Sequence, residues 1–391
     1  MWQTAMENLD MNDHSADSAW VARARAGWLH PLPDRIRAQI HGLLRAWGMS
    51  ESQSCASADV MVDTDLSGVD SHGISMLIDY NRSRLNGRLN LNAEPRVVRE
   101  KGVTALVDAD AGLGHAAAVM AMTLAIERAR DMGVGIVCVR NSHHFGAAGY
   151  YVRLAAAAGF VGLCTSSTRT INTVPTRGRL PVMGTNPIAF AAPAGRHPPF
   201  VLDMATSSVA SNKVKVYELH GKPLPPGWVC DERGQPVVDP ARATEILFRQ
   251  PKEVGGGLAP LGGTPEMSSH KGYGLAMMVH ILGGALAGAS FSPIRVRTQR
   301  PQDPDNLGHF FCVIDPAMFR EPDEFAADMD ALIDTLHATP PAHPDLPVLI
   351  PGEPEARARA ERAVQGIPIP PALAQQVRGL CEQAGVSFLL D

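Results

Sequence analysis

The chain has 391 residues, 45% of them hydrophobic and 19% charged, with a formal net charge of −5. That is long enough for two domains, or for one with a large insertion, and the composition excludes a disordered chain. The acidic balance and the lack of a basic tract argue against a nucleic-acid partner, and no apolar run reaches the roughly 18–20 residues of a membrane span.

The first twenty residues are polar and acidic, with no basic n-region or apolar core, so they read as a loose extension rather than a secretory signal. Apolar residues at Ile36, Ile40, Leu43, Leu44 and Trp47 recur at helical spacing after a proline and Asp34. A second helix is expected from Ser52 to Leu66, ending at Gly68. The stretch "DSHGISMLIDY" (70–80) then lies in a turn that starts another helix.

"PRVVREKGVTALVDAD" alternates like a hairpin with Gly102 at its turn. An alanine-rich helix closed by Gly133 follows, then the strand "VGIVCV" (134–139), a polar loop "RNSHHFG", a helix stopped by Gly159, and the strand "FVGLCTSS". This strand–loop–helix–strand order puts a polar loop at the carboxyl end of a strand, where open α/β sheets bind ligands. "PIAFAAPAGRHPPFVLDMAT" reads as two strands joined by a Gly/Pro turn, so the sheet is not expected to be wholly parallel. Residues 219–265 are a Gly/Pro-rich loop region, and 271–291 a long buried helix interrupted by Gly283 and Gly284. Helices near 321–337 and 371–384 close the chain.

There is no G-x-G-x-x-G after a strand, no P-loop and no H-E-x-x-H. The six cysteines are far apart, which is neither a disulfide framework nor a zinc site, so a reducing cytosol is the expected compartment. The histidines lack metal-ligand spacing; His143 and His144 are adjacent and point to different sides of an extended loop, so no metal is expected.

Two readings of His72 stand open on its local context: a core or capping histidine, or a proton donor, with Ser71 able to orient ring or substrate. His144 precedes a helix whose amino terminus offers free N–H groups and a positive dipole end to a phosphate or carboxylate; the plainer reading is a capping loop. Thr185 and Asn186 suit uncharged hydrogen bonds to a ligand but also suit a turn. Asp203 ends an apolar strand, where an acid more commonly caps a turn. Lys271 opens the long apolar helix against the dipole's preference, which makes sense beside something anionic.

Seven segments, "DSHG", "VRNSHHFGAAGYY", "GTNPIAFAAP", "VLDMATS", "GWVCDERGQPVVDP", "LGGTPEMSSHKGYGLAMMV" and "NLGHFFCVIDP", occur in this order across roughly residues 35–385. Together they resemble the malate/L-lactate dehydrogenase family that lacks a Rossmann domain. That group contains NAD(P)-dependent 2-hydroxyacid dehydrogenases and imine reductases, among them ureidoglycolate dehydrogenase and Δ1-piperideine-2-carboxylate reductase. The resemblance implies an α/β fold with a largely antiparallel, mixed cofactor-binding sheet. It also implies an accessory, mainly helical domain formed from both chain ends, and a homodimer.

The corresponding boundaries are an extension over 1–30, a helical substrate region over 31–105, an NAD(P)-binding core over 106–320 and C-terminal helices over 321–391. The resemblance further implies hydride transfer between NAD or NADP and C2 of a small 2-oxo or 2-hydroxy acid; the composition adds the expectation of a cytoplasmic protein without nucleic acid or membrane as partner. A cyclic-imine reductase and a non-catalytic cofactor-binding relative are the alternatives.

By resemblance, His72 is the proton donor with Ser71 and Asp203 as relay partners, and His144 is either a cofactor contact or a catalytic base. The cofactor is expected at His144, Phe145, Gly146, Ala147 and Ala148, at Leu202, Asp203 and Met204, and at His270, Lys271 and Gly272. Thr185, with Asn186, is expected at the substrate. Many members carry an arginine four residues after the "SHG" histidine, where it grips the substrate carboxylate; here that residue is Met76. Arg82, Arg84, Arg140 and Arg169 are the candidates to replace it.

Overall fold

The structure is a computed structural model and describes residues 27–291, 294–295, 299–300 and 302–391. The extension expected over 1–30 lies outside the described residues as far as residue 26, and Leu29 beyond it pairs with Ile369 near the other end of the chain.

Helix α1 (Pro33–Ala46) forms as its spacing predicts, with Pro33 in the first turn and Ile36, Ile40, Leu43 and Leu44 fully buried along one stripe. Helix α2 (Glu51–Leu66) starts one residue earlier than expected because the Ser50 hydroxyl accepts from the Gln53 N–H. After the turn at 67–73, a 3₁₀ turn (Ile74–Met76) leads into α3 (Leu77–Leu85). Strands β1 (Arg96–Lys101) and β2 (Thr104–Asp108) form the expected hairpin, with Gly102 at φ +52°. Helix α4 (Gly114–Met132), closed by Gly133 in the left-handed region, precedes β3 (Val134–Ser142). Helix α5 (Ala148–Ala157) precedes β4 (Val161–Ser166), and β5 (Ile188–Ala192) and β6 (Phe200–Met204) pair antiparallel.

Residues 219–265 contain more structure than a loop. Helix α6 (Ser211–Leu219) leads into them, and α7 (Pro240–Thr244) and the short strands β7 (Val229–Cys230) and β8 (Gly257–Leu258) close a small core around Val214, Val229, Ile246 and Leu258. The long apolar helix is α8 (His270–Val279), which passes into a π-helical segment over His280–Leu286. The last strand, β9 (Leu307–Ile314), is followed by α9 (Pro322–His337), α10 (Glu353–Gln365) and α11 (Pro371–Ala384). Helix α10 is additional to the two closing helices expected; its Ala, Glu and Arg residues between Gly352 and Gly366 are strong helix formers.

The main sheet has the order β1-β2-β3-β9-β4-β5-β6, and among the described residues β2–β3 is its one parallel pair. The strand–loop–helix–strand unit over β3, α5 and β4 does not close a neighbouring parallel pair, because β9 inserts between its strands, antiparallel to both. The π-helical segment packs on β9 so closely that a Cβ at Gly308 would sit 1.6 Å from the Gly283 carbonyl oxygen, which is why two glycines face each other there.

One core unites α4 and α5 with one sheet face, around Ala118, Ala121, Val137, Tyr151 and Phe311. A second joins both ends of the chain, packing Ile36, Ile40 and Leu43 against Ile367, Val377, Leu380 and Leu390. The fold is thus a mixed, non-Rossmann sheet with an accessory helical layer from both termini.

Candidate active site

Strand directions fix where the loops meet. Ile314 at the end of β9 lies between Val134 and Val161, at the starts of β3 and β4, so the carboxyl ends of β3 and β4 share one sheet edge. Asp108 at the end of β2 and Met204 at the end of β6 reach the same edge, as do the starts of β5 and β9. Residues 143–147, 167–187 and 205–207 and the segment before Leu307 therefore emerge together.

His72 enters from the helical layer. Its ring Nδ1 is 2.7 Å from the Ser71 hydroxyl, the partner expected from sequence. The turn that carries both is pinned by α10, since Arg362 pairs with Asp70 and donates to the Asp65 carbonyl. The Asp65 carboxyl accepts the Ile74 N–H at 2.8 Å, and a Cβ at Gly73 would overlap it at 1.7 Å, so only glycine fits after His72. Burial lowers the His72 imidazole to about 4.

His144 faces His72 with ring centroids 5.4 Å apart. Its Nδ1 accepts from the Gly146 N–H at 3.3 Å and lies 2.7 Å from the Tyr80 hydroxyl, so the neutral ring carries its proton on Nε2. Burial first, and then repulsion from the imidazoles of His72 and His115 when these are protonated, holds His144 well below the ordinary imidazole value. Beneath the loop, His309 bridges the Ser166 and Ser142 hydroxyls at 2.8 and 2.9 Å. Phe145 stacks on it at 4.4 Å, fixing the loop's height. His143 points the other way, as expected, with Nε2 2.9 Å from Asp305.

The expected polar loop after β3 is shorter than the sequence suggested. Ladder pairing runs on to Ser142, because Asn306 and Asp108 supply partners to Asn141 from distant segments.

Asp203 is not joined to His72 or Ser71 by any hydrogen bond among the described residues. It accepts the Gly149 N–H at 2.7 Å and so occupies the amino terminus of α5, one of the donors expected to be free for a ligand. The surrounding protein raises its carboxyl, opposed first by that bond and then by Arg153, while its surface stays open to solvent, which limits the rise.

The other expected binding segments form one patch. Thr206, just past Met204, donates to the Thr185 carbonyl, and Leu261 N–H donates to Thr206. Gly272 N–H donates to Leu261, and the Asn186 amide donates to Ala276 of α8. His270 and Lys271 at the start of α8 are exposed.

Met76 carries no charge and packs, partly buried, against the core built from both chain ends. Of the four arginines weighed in its place, Arg82 pairs with Asp79 at 2.9 Å, Arg84 with Asn81 at 2.8 Å, and Arg140 with Asp108 at 3.2 Å. Arg169 lies 3.1 Å from Asp305, the buried carboxylate beside His143. Tyr80 and His115 were absent from the expected set. Tyr80 is four residues after Met76 and so on the same face of α3, a signal available in the sequence. His115, whose Nε2 is 3.5 Å from the Tyr80 hydroxyl, carried no such signal.

Two other features lie apart from these residues. A cavity of about 400 Å³ is lined by Asp63, Tyr150, Arg153, Pro193, Pro199 and Arg359, and its two guanidinium groups are both spent on Asp63. His41, Glu51 and Cys55 hold donor atoms within 4.8 Å of one another, but Arg45 already pairs with Glu51 at 3.1 Å.

The arrangement offers two imidazoles of different protonation behaviour at a sheet edge, above a patch of backbone and small polar groups. The family description "Malate/L-lactate dehydrogenase" matches residues 33–378. The chain belongs to the malate/L-lactate dehydrogenase family. It is 38% identical to a malate dehydrogenase of Pyrococcus horikoshii over 91% of this chain and 96% of that one. The solved malate dehydrogenase from Entamoeba histolytica superposes with a TM-score of 0.85 at 31% identity, over 92% of this chain and 99% of the other. The Δ1-piperideine-2-carboxylate reductase from Pseudomonas syringae pvar. tomato gives 0.77 at 30%, over 90% and 99%. Membership supports a dehydrogenase acting on hydroxyacids.

Proposed function

We propose that the chain is an NAD(P)-dependent oxidoreductase that interconverts a 2-oxoacid and a 2-hydroxyacid, with His72 as the group that moves the proton. The nicotinamide supplies or takes the hydride at C2. One contrast carries the assignment. A serine hydroxyl rotates, so Ser71 is able to donate to His72 Nδ1 when the ring is neutral and to accept from it when the ring is protonated. His144 lacks that freedom, because the Gly146 N–H already fixes its Nδ1 as acceptor. His72 therefore cycles between protonation states, and His144 Nε2–H serves as a fixed donor to the substrate oxygen.

The residues fit a dinucleotide. The second Asp203 oxygen has no partner among the described residues and suits ribose hydroxyls, while His270 and Lys271 suit a phosphate. A pair of chains is part of the same reading, supported by Ile281 and Leu286, apolar residues exposed by 56% and 61%. A cytoplasmic site is part of it as well; among the described residues no helix is long and apolar enough to cross a membrane.

The test is His72→Ala, followed by NADH and NADPH absorbance over a panel of 2-oxoacids and cyclic imines. Positioned proton transfer contributes ~10²–10⁴ in rate, so turnover falls by that factor while NADH affinity holds within about twofold. Turnover that survives within a few-fold moves the role to His144. Turnover with imines alone makes the chain an imine reductase.

A further inference from the structure

Where His143 points, three guanidinium groups gather around one buried carboxylate. Arg88 and Arg169 both meet Asp305 Oδ1, and His143 Nε2 lies 2.9 Å from its other oxygen without a hydrogen bond between them. Arg295 shares this environment, with Asp305 as an attractive and Arg169 and Arg88 as repulsive neighbours. Its Nε reaches Gln299 at 3.1 Å and its Nη1 the Thr168 carbonyl at 3.5 Å, while its buried Nη2 has no hydrogen-bond partner among the described residues. Three positive charges against one negative, with a buried N–H left over, is a costly arrangement unless an anion completes it.

The place of the cluster says which anion. Asp305 adjoins β9 and Arg169 follows β4, both at the edge that carries the 143–147 loop. Arg169 also feels Asp79 and Arg82 of α3, the helix that carries Tyr80 and begins beside Met76. Its side chain is 49% exposed, so a soluble ligand reaches it. Thr168, between Arg169 and β4, hydrogen-bonds Asn186 at 3.2 Å, beside Thr185.

We propose, resting on the dehydrogenase reading above, that Arg169 and Arg295 hold the carboxylate of the 2-oxoacid substrate beside His72 and His144, a task the thioether of Met76 does not perform. Two guanidinium groups approaching one carboxylate give charge-assisted hydrogen bonds from planar donors, which fix the acid's orientation as well as its affinity. The two arginines are thereby specificity-determining residues, and an amide or ester of the same acid is a poor substrate.

The experiment compares the full-length native protein with Arg169→Met, Arg169→Lys and Arg295→Met. The readouts are KM and kcat for a 2-oxoacid, and titration of oxamate, a non-reacting carboxylate analogue, into the enzyme–NADH complex by fluorescence. Each methionine variant raises KM and the oxamate Kd about 10- to 100-fold with kcat changed far less, NADH affinity stays within about twofold, and Arg169→Lys recovers part of the loss. Arg169→Met keeps the test sound if the buried Arg295 variant does not fold. Unchanged oxamate affinity in Arg169→Met overturns the proposal, and loss of NADH affinity instead reassigns the arginines to the dinucleotide and overturns it too. A native protein that binds oxamate through these arginines yet turns over no 2-oxoacid keeps the proposed anion site and refutes the dehydrogenase reading.

Discussion

At the scale of single residues, the site is a matter of which nitrogen holds a proton. With His72 lowered to about 4, the free protein at neutral pH presents a neutral imidazole, ready to take the proton of a 2-hydroxyl. Oxidation requires that neutral form, so its kcat/KM stays flat above about pH 5. Reduction requires the protonated form, whose share of the free protein drops tenfold per pH unit above the group's value, so its kcat/KM declines throughout pH 5 to 8. Paired pH profiles in the two directions check this. Breaks near 6.5, the ordinary imidazole value, would show that burial does not act on the proton-moving group.

His72 and Ser71 were legible in the sequence because they are neighbours. The remaining polar contacts were not: His144 meets Tyr80 across 64 residues, and Arg88 meets Asp305 across 217. Spacing carries no information at that range.

At the scale of elements, what matters is how rigidly the turn holding His72 is anchored. Arg362 of α10 is buried, pairs with Asp70, and donates to the Asp65 carbonyl at the end of α2. Removing one partner of a buried pair leaves an uncompensated charge, at a cost of about 3–5 kcal/mol. Arg362→Met is therefore expected to lower stability by that order, measured by urea unfolding, and to reduce kcat with little change in NADH affinity. A stability loss with native kcat would mean that the turn holds its shape without α10.

Helical spacing identified α1, alternation with a glycine turn the β1–β2 hairpin, and closing glycines the ends of α4 and α5. Periodicity did not identify β9 as a strand. The eight residues "LGHFFCVI" carry no alternation, since the strand is central and covered on both faces.

For the whole molecule, several buried or half-buried histidines set the response to acid. His72 and His280 are lowered to about 4, and His115 and His309 to about 3, by burial in each case. In the unfolded chain these imidazoles protonate near 6.5. A lowered histidine contributes stability that is complete above pH 6.5 and is lost as pH falls toward its folded value, about 1 kcal/mol per histidine per pH unit. Asp65 and Asp203, raised by burial, work in the opposite sense, but they are two groups against five, since His144 is lowered as well. Unfolding free energy from urea titrations is expected to fall steeply between pH 6.5 and 5; a flat profile over that range would contradict the burial of these rings.

The sequence by itself determined the local elements, the absence of a Rossmann phosphate loop, the family, and the pairing of His72 with Ser71. Those features depend on residue type, short-range periodicity and motifs in a fixed order. The tertiary structure alone decided that β9 separates β3 from β4, that Asp203 accepts the Gly149 N–H of α5 and, among the described residues, has no hydrogen bond to His72, and that the arginines gather on Asp305. Each of these depends on which distant segments reach the same sheet edge, and that is set by strand direction and core packing rather than by neighbours in the chain.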